Sequence, residues 1–126
     1  MQLLWRYVAV AHACYYIITG LWPLFSIGTF QKVTGPKTDT WLVKTAGVLI
    51  TVIGAVIGMA ARPPSGEPQP EIATLAVGSA LGLAGIDVVY VAKGRIRPVY
   101  LLDAVAEVLL AGAWLTAVQM SREAQG

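Results

Sequence analysis

The sequence predicts an all-α protein, an integral membrane four-helix transmembrane bundle. Of its 126 residues, 56% are hydrophobic and only 13% are charged, whereas a soluble domain typically carries about 25% charged residues. Four apolar segments, at residues 3–27, 41–61, 72–92 and 99–118, each approach the roughly 20 residues that a helix needs to cross a bilayer. A soluble bundle is disfavoured, since its helices would show regular polar stripes. We therefore treat residues 1–126 as a single domain.

The first segment carries a row of polar and aromatic side chains within an apolar helix. His12, Tyr15, Tyr16 and Thr19 are spaced so that they share one face. That face can exchange hydrogen bonds inside the bundle, although simple packing of the rings, with the histidine bonded to a backbone carbonyl, would also explain it. We expect the helix to end or kink near Pro23, because proline cannot continue the hydrogen-bond ladder.

Small residues distinguish the second and third segments. In the second, Gly47, Gly54 and Gly58 lie on the same face as Lys44, and glycines at these spacings allow close approach of another helix. The third has a similar motif at residues 78–82. We therefore expect small-residue packing on both helices. Lys44 could snorkel to the membrane surface, but its position on the small-residue face favours an inward orientation towards an acid.

Basic residues set an expected orientation in the membrane. The connections at residues 30–40 and 93–98 are flanked by more bases than the opposite surface. By the positive-inside rule, these connections face the cytoplasm of a bacterial inner membrane and both termini lie outside. The bases near the connections are Lys32, Lys37, Lys44, Lys93, Arg95 and Arg97, and those near the opposite surface are Arg6, Arg62 and Arg122.

Several classes of site are not indicated by the sequence. His12 and Cys14, two positions apart on one helix, do not face each other and make neither a metal site nor a nucleophilic pair. The simplest interpretation of Cys14 is a small buried residue. Phosphate-binding glycine loops and a haem attachment motif are missing, so we predict no metal and no cofactor. A net charge of +2 gives no reason to expect nucleic-acid binding.

The acids within the last two segments are the most costly feature of the sequence. Asp103 and Glu107 are four residues apart and share a helix face, and an ionisable residue inside a membrane helix costs about 2.5–3.5 kcal/mol on insertion scales. At about 1.5 Å of rise per residue, the acids divide into two expected tiers. Lys44, Asp87 and Asp103 form the shallow tier, and His12 and Glu107 form the deeper tier, with Tyr15 or Tyr16 nearby.

A more economical arrangement is also open. Asp87 could neutralise the bases of the 93–98 connection, which would leave Asp103 paired with Lys44. Glu107 would still lack a partner, because only His12 and tyrosines are expected within its reach. A functional interpretation therefore depends chiefly on Glu107.

The leading hypothesis is a polar, acid-lined pocket that binds or chemically acts on an amphiphilic small molecule, such as an amine, within a lipid membrane. A protonatable acid at mid-membrane suits general acid chemistry, proton-coupled movement or capture of a cation. The sequence does not decide whether the protein is an enzyme. The residues predicted to carry any chemistry are Glu107, Asp103 and His12, and those predicted to bind the substrate are Lys44, Asp87, Tyr15, Tyr16 and Trp114.

Two other functions remain open. The first is a proton-coupled transporter of the small multidrug type, working as a homodimer, although that class usually places its essential acid in the first helix, where this chain has His12. The second is a non-catalytic subunit of a larger membrane complex.

Two short motifs in the first segment carry a family resemblance. Together with the acid-bearing last segments, Arg6-Tyr7-Val-Ala-Val-Ala and Thr19-Gly-Leu-Trp-Pro23 resemble the DoxX-like group of small bacterial membrane proteins. A weaker likeness is to the sterol isomerase and sigma-2 receptor group, whose helices surround a pocket with buried carboxylates. Both resemblances imply a bundle with an interior polar site, and the second implies amine or sterol-like ligands.

Overall fold

The computed structural model describes residues 2–62 and 66–125. Within those ranges the protein is all-helical, as predicted, and four of its helices are long and apolar enough to cross a membrane. The predicted segments correspond to these four helices. The helices are α1 (Gln2–Phe25), α2 (Ile27–Thr34), α3 (Thr40–Ala60), α4 (Pro70–Ala92) and α5 (Tyr100–Gln125).

Two elements differ from the prediction. The short helix α2 occupies part of the predicted first connection, and α5 continues to Gln125 rather than ending near residue 118. α2 is held against the end of α1, because Trp22 Nε1 donates to Thr29 Oγ1 at 3.0 Å and the Trp22 and Phe30 rings meet edge to face at 5.3 Å. An eight-residue helix shows too few turns for its periodicity to be recognised from sequence.

The four long helices form an antiparallel bundle with α1 and α5 at its centre. α3 packs on α1 and α4 packs on α5, while α3 and α4 touch each other much less. We call the end formed by residues 26–39 and 93–99 the basic end, and the opposite end, formed by residues 61–62 and 66–69, the start of α1 and the end of α5, the core end. A buried cluster fills the core end and takes residues from all four long helices: Trp5, Ala9, Ile57, Ala61, Ala76, Trp114 and Ala117.

Glycines bring α1 and α3 into close contact, which confirms the predicted small-residue packing of the second segment. A Cβ atom added at Gly47 would lie 2.5 Å from the carbonyl oxygen of Gly20. One added at Gly54 would lie 2.8 Å from the Cβ of Tyr16, and one at Gly58 would lie 3.0 Å from the Cβ of Ala13. The backbones can meet in this way only because these positions have no side chain.

The glycines of α4 do not pack in this way, so the glycine motif expected in the third segment forms no helix contact within the described chain; the small residues that α4 buries are alanines. A Cβ atom added at Gly78, Gly82 or Gly85 would meet nothing within 4 Å. The reason is the rotation of α4, which directs a different face into the bundle. That buried face is formed by Ala76, Ala80, Ala84 and Asp87.

Cys14 is a further correction at the surface of α1. The cysteine is exposed rather than buried, because the faces of α1 that contact other helices carry Ala13 and Tyr16 instead. Trp5 at the start of the same helix is buried with only 1% of its surface exposed, and its Nε1 donates to the carbonyl oxygen of Gly66 at 3.0 Å. This bond ties α1 to the loop before α4.

Candidate functional site

Three carboxyl groups converge where α4 and α5 meet α1. Asp87 and Glu107 are buried, with 6% and 1% of their surfaces exposed, and Asp103 is half-buried. Asp103 lies near each of the other two carboxyl groups. We call these residues the acid cluster. They therefore form one connected group, whereas the sequence suggested that Glu107 would lie in a separate, deeper tier.

Two consecutive tyrosines of α1 donate hydrogen bonds to the acids of α5. Tyr15 Oη donates to Asp103 Oδ1, and Tyr16 Oη donates to Glu107 Oε1 at 2.6 Å. Asp87 is treated differently, because its buried Oδ2 has no hydrogen-bond donor among the described residues. The two acids of α5 therefore have hydrogen-bond donors from α1, whereas the acid of α4 keeps a free acceptor oxygen.

Tyr16→Phe tests the better-buried of these bonds. Removing the hydroxyl leaves a buried carboxyl oxygen of Glu107 without its donor, which costs about 1–3 kcal/mol. We expect a corresponding loss of unfolding free energy in detergent-solubilised protein, measured by denaturant titration. Tyr7→Phe is the matched control, because Tyr7 is 71% exposed and should be insensitive to the change. Equal stability of the Tyr16 variant and the unmodified protein would contradict the assigned bond.

His12 joins the site through aromatic contacts rather than through an acid. Trp114 Nε1 donates to His12 Nδ1 at 3.0 Å, so the neutral imidazole carries its proton on Nε2. That Nε2 atom is buried and has no hydrogen-bond partner in the described part of the chain. The His12 ring stands edge to face against Tyr16, with centroids 4.2 Å apart. His12 and Trp114 therefore support Tyr16, which in turn contacts Glu107.

Lys44 does not belong to the site. Its side chain is exposed, and no ion pair within 4.0 Å joins it to an acid in residues 2–62 and 66–125. The predicted pairing with Asp103 is wrong because α3 packs chiefly on α1 and has almost no contact with α5. Asp87 likewise forms no ion pair with a described base, so the alternative in which it neutralises the 93–98 connection is also not observed.

Two surface grooves lie away from the acid cluster. One, with a volume of about 430 Å³, is an apolar groove between α1 and α5 that includes Leu4, Val8 and Leu109. The other, of about 510 Å³, lies at the basic end between α2 and the α4–α5 turn. Neither is lined by a member of the acid cluster. A ligand would have to reach the acids from the side of Asp103 and Tyr15, which are both half-buried.

The basic-end groove has no counterpart among the sequence predictions. The sequence predicted its bases as markers of orientation and, for the 93–98 connection, as possible partners of Asp87, and it did not predict the short helix α2 that forms one wall of the groove. The sequence feature that could have indicated this groove is the high density of lysine and arginine in two connections. Adjacent antiparallel helices bring both connections to the same end of the bundle.

The described residues contain no group of three or more histidine, cysteine, aspartate or glutamate side chains arranged to hold a metal ion. No protein-family model matches the chain, and no significant match is found among curated proteins or solved structures.

Proposed function

We propose that this is an integral membrane protein whose acid cluster binds the ammonium group of an amphiphilic amine. The observation that supports this proposal is the convergence of Asp87, Asp103 and Glu107 without an ion-pairing base in the described chain. Buried carboxylates are costly unless they are neutralised. Protons or a bound cation must supply the missing positive charge.

The chemistry of the cluster favours an organic ammonium ion. Such a group is a multiple hydrogen-bond donor, and Asp87 Oδ2 is a buried acceptor that lacks a donor. The rings of Tyr15 and Tyr16 border the same region, with centroids 6.2 Å apart, and an aromatic face attracts a cation. The apolar portion of the ligand would lie along the exposed aliphatic side chains of α4 and α5, such as Val88 and Leu102.

The acids have different roles in this proposal. Asp87 and Asp103 bind the ammonium group. Asp103 is only half-buried, so a ligand can reach its carboxylate from the surface of the bundle. Glu107 lies deeper and acts as the counter-ion or as a proton donor. The tyrosines orient the carboxyl groups of α5. We further propose that the basic end faces the cytoplasm of a bacterial inner membrane, and that the resemblance to the DoxX-like group reflects a shared interior polar site.

Isothermal titration of a lipophilic primary amine into the protein in lipid nanodiscs tests the binding site. We expect Asp87→Asn, Asp103→Asn and Glu107→Gln each to weaken binding by about tenfold or more, because each removes a charge-assisted contact or a counter-charge. Glu71→Gln is the matched control, since it removes an exposed carboxylate at the start of α4. Unchanged affinity in all three cluster variants, or an equal loss in the control, would refute the proposal.

A proton-coupled transporter is the second candidate, favoured by the connection between buried Glu107 and half-buried Asp103. Such a link would let a proton leave the interior when a cation binds. A transporter should release protons into a weakly buffered solution on addition of a lipophilic cation, and Glu107→Gln should abolish the release. Amine binding without proton release, together with a monomeric mass, would favour a binding protein. Co-purification of a stable protein partner would instead indicate a subunit of a complex.

A further inference from the structure

The basic-end groove has features of a binding site of its own. It lies between the C-terminal end of α2 and the turn that joins α4 to α5, and its volume is about 510 Å³. Three of its lining side chains are basic and none is acidic. The basic side chains are those of Lys37, Arg95 and Arg97.

Two of these bases are held in place by oxygen atoms of the protein. Lys37 Nζ donates to the carbonyl oxygens of Thr34 and Gly35, at 3.1 and 3.0 Å. Arg97 Nη1 lies 3.5 Å from the carbonyl oxygen of Lys32. Backbone carbonyls orient these cations without cancelling their charge, because they carry only partial negative charge.

The backbone of α2's C-terminal end is shaped around Arg97. Gly35 has a φ angle of +101°, a conformation that favours glycine. A Cβ atom there would lie 3.0 Å from Nε of Arg97. Glycine at position 35 therefore allows the guanidinium to lie against the chain. The position of Arg97 is thus built into the fold.

No acid balances this charge within the described chain. Lys37, Arg95 and Arg97 form no ion pair within 4.0 Å among residues 2–62 and 66–125. The side chain of Arg95 makes no hydrogen bond with the described residues and is exposed. Like charges held at one groove repel each other, and an anion bound between them would relieve that repulsion.

The groove also lies at the level expected of lipid headgroups. It sits at the ends of α4 and α5, two of the helices long enough to span a bilayer. Lys37 Nζ lies 5.3 Å from the ring centroid of Tyr100 and 5.9 Å from that of Phe30, and tyrosine is typical of the membrane interface. Basic pockets at the ends of transmembrane helices are suited to anionic headgroups.

We propose that the basic-end groove binds the phosphate group of an anionic phospholipid. Arg95 and Arg97 contact the phosphate oxygens as hydrogen-bond donors, Lys37 contributes charge from the α2 side, and the acyl chains extend along the outer faces of α4 and α5. The site is separate from the acid cluster and does not depend on amine binding there.

Native mass spectrometry of the full chain in a neutral detergent tests this site, with phosphatidylglycerol titrated against phosphatidylcholine. We expect retention of phosphatidylglycerol in preference to phosphatidylcholine. Arg95→Gln and Arg97→Gln should each weaken retention of phosphatidylglycerol by about tenfold. Arg95→Gln keeps the test informative if the Arg97 variant fails to fold, because the Arg95 side chain makes no hydrogen bond within the described chain.

Lys44→Gln is the matched control, since it removes one exposed positive charge near the same end but outside the groove. It should leave lipid retention unchanged. An equal loss in Lys44→Gln would show that the bases act only through net charge, and equal retention of the two lipids would also overturn the proposal. Binding of inorganic phosphate as tightly as phosphatidylglycerol would assign the groove to a soluble phosphate compound and overturn the lipid assignment.

Discussion

Replacing Gly47 with alanine is expected to destabilise the bundle by about 3 kcal/mol, the upper end of the range for overpacking a well-packed interior. The new methyl group would lie 2.5 Å from the carbonyl oxygen of Gly20 and 3.2 Å from Cγ of Pro23. Backbone atoms of a neighbouring helix cannot rotate away as a flexible side chain can, so α1 and α3 must separate. Denaturant-dependent unfolding in detergent micelles, followed by far-ultraviolet circular dichroism, measures the effect.

Gly82→Ala is the matched control for this prediction. It makes the same chemical change in a long apolar helix, but its Cβ would meet nothing within 4 Å. We expect no loss of stability, or a gain of about 0.5–1 kcal/mol from the better helix propensity of alanine. Equal destabilisation by the two substitutions would mean that the α1–α3 contact is not the close packing described here.

Replacing Trp114 with alanine is expected to cost about 3–5 kcal/mol, the range for removing a large aromatic side chain from a core. Trp114 is fully buried, lies 6.2 Å from the ring of Trp5 and donates its indole N–H to His12. The substitution therefore removes ring packing at the core end and a hydrogen bond next to the acid cluster. Differential scanning fluorimetry in detergent should show a lower Tm.

Two further variants separate the packing effect from the hydrogen bond. Trp114→Phe keeps much of the ring volume but removes the donor to His12 Nδ1, and we expect a smaller loss of about 1–2 kcal/mol. Trp41→Ala removes an exposed tryptophan, 65% of whose surface is accessible, and should have little effect. If Trp114→Ala were no more destabilising than Trp41→Ala, the buried position of Trp114 would be wrong.

These two predictions concern neighbouring faces of α1, which connects the scaffold to the candidate site. One side of α1 packs through Gly20 against Gly47 of α3. Tyr16 contacts both helices that pack on α1. Its Cβ lies directly over Gly54 of α3, where an added methyl group would clash with it, and its hydroxyl donates to Glu107 of α5. The close α1–α3 packing therefore sets the distance at which the tyrosines reach the acids. We expect substitutions at Gly54 to weaken amine binding as well as stability.

The parts of the fold that follow from local composition could be predicted from the sequence. Long apolar segments such as 41–61 and 72–92 predicted α3 and α4 with boundaries close to those observed, because an apolar run of this length has few other ways to satisfy its backbone in a membrane. The helix α2 and the extension of α5 to Gln125 could not be predicted in this way. The helix α2 depends on a contact with α1, that between Trp22 and Thr29, and the last part of α5 is polar, although Ser121 within it is buried.

The candidate site divides along the same line. The sequence identified Asp87, Asp103 and Glu107 as costly residues that need partners, and the spacing of Asp103 and Glu107 on one helix face is a local property. The partners themselves depend on which helices are neighbours. Counting residues along the membrane normal placed Lys44 at the depth of Asp103, but α3 packs chiefly on α1 and has almost no contact with α5, so equal depth did not bring the two together.

The sequence by itself determined the all-helical class, the four long apolar helices and the identity of the residues whose burial needs compensation. Each of these follows from the polarity and spacing of residues within one segment. Only the tertiary structure decided that Tyr15 and Tyr16 are the donors to the α5 acids, that Lys44 is exposed and that Arg97 lies against Gly35 at the basic end. These contacts depend on the rotation and the neighbours of each helix. Every face of an apolar helix is equally suited to lipid or to protein, so the polarity of a segment does not determine which face packs against another helix.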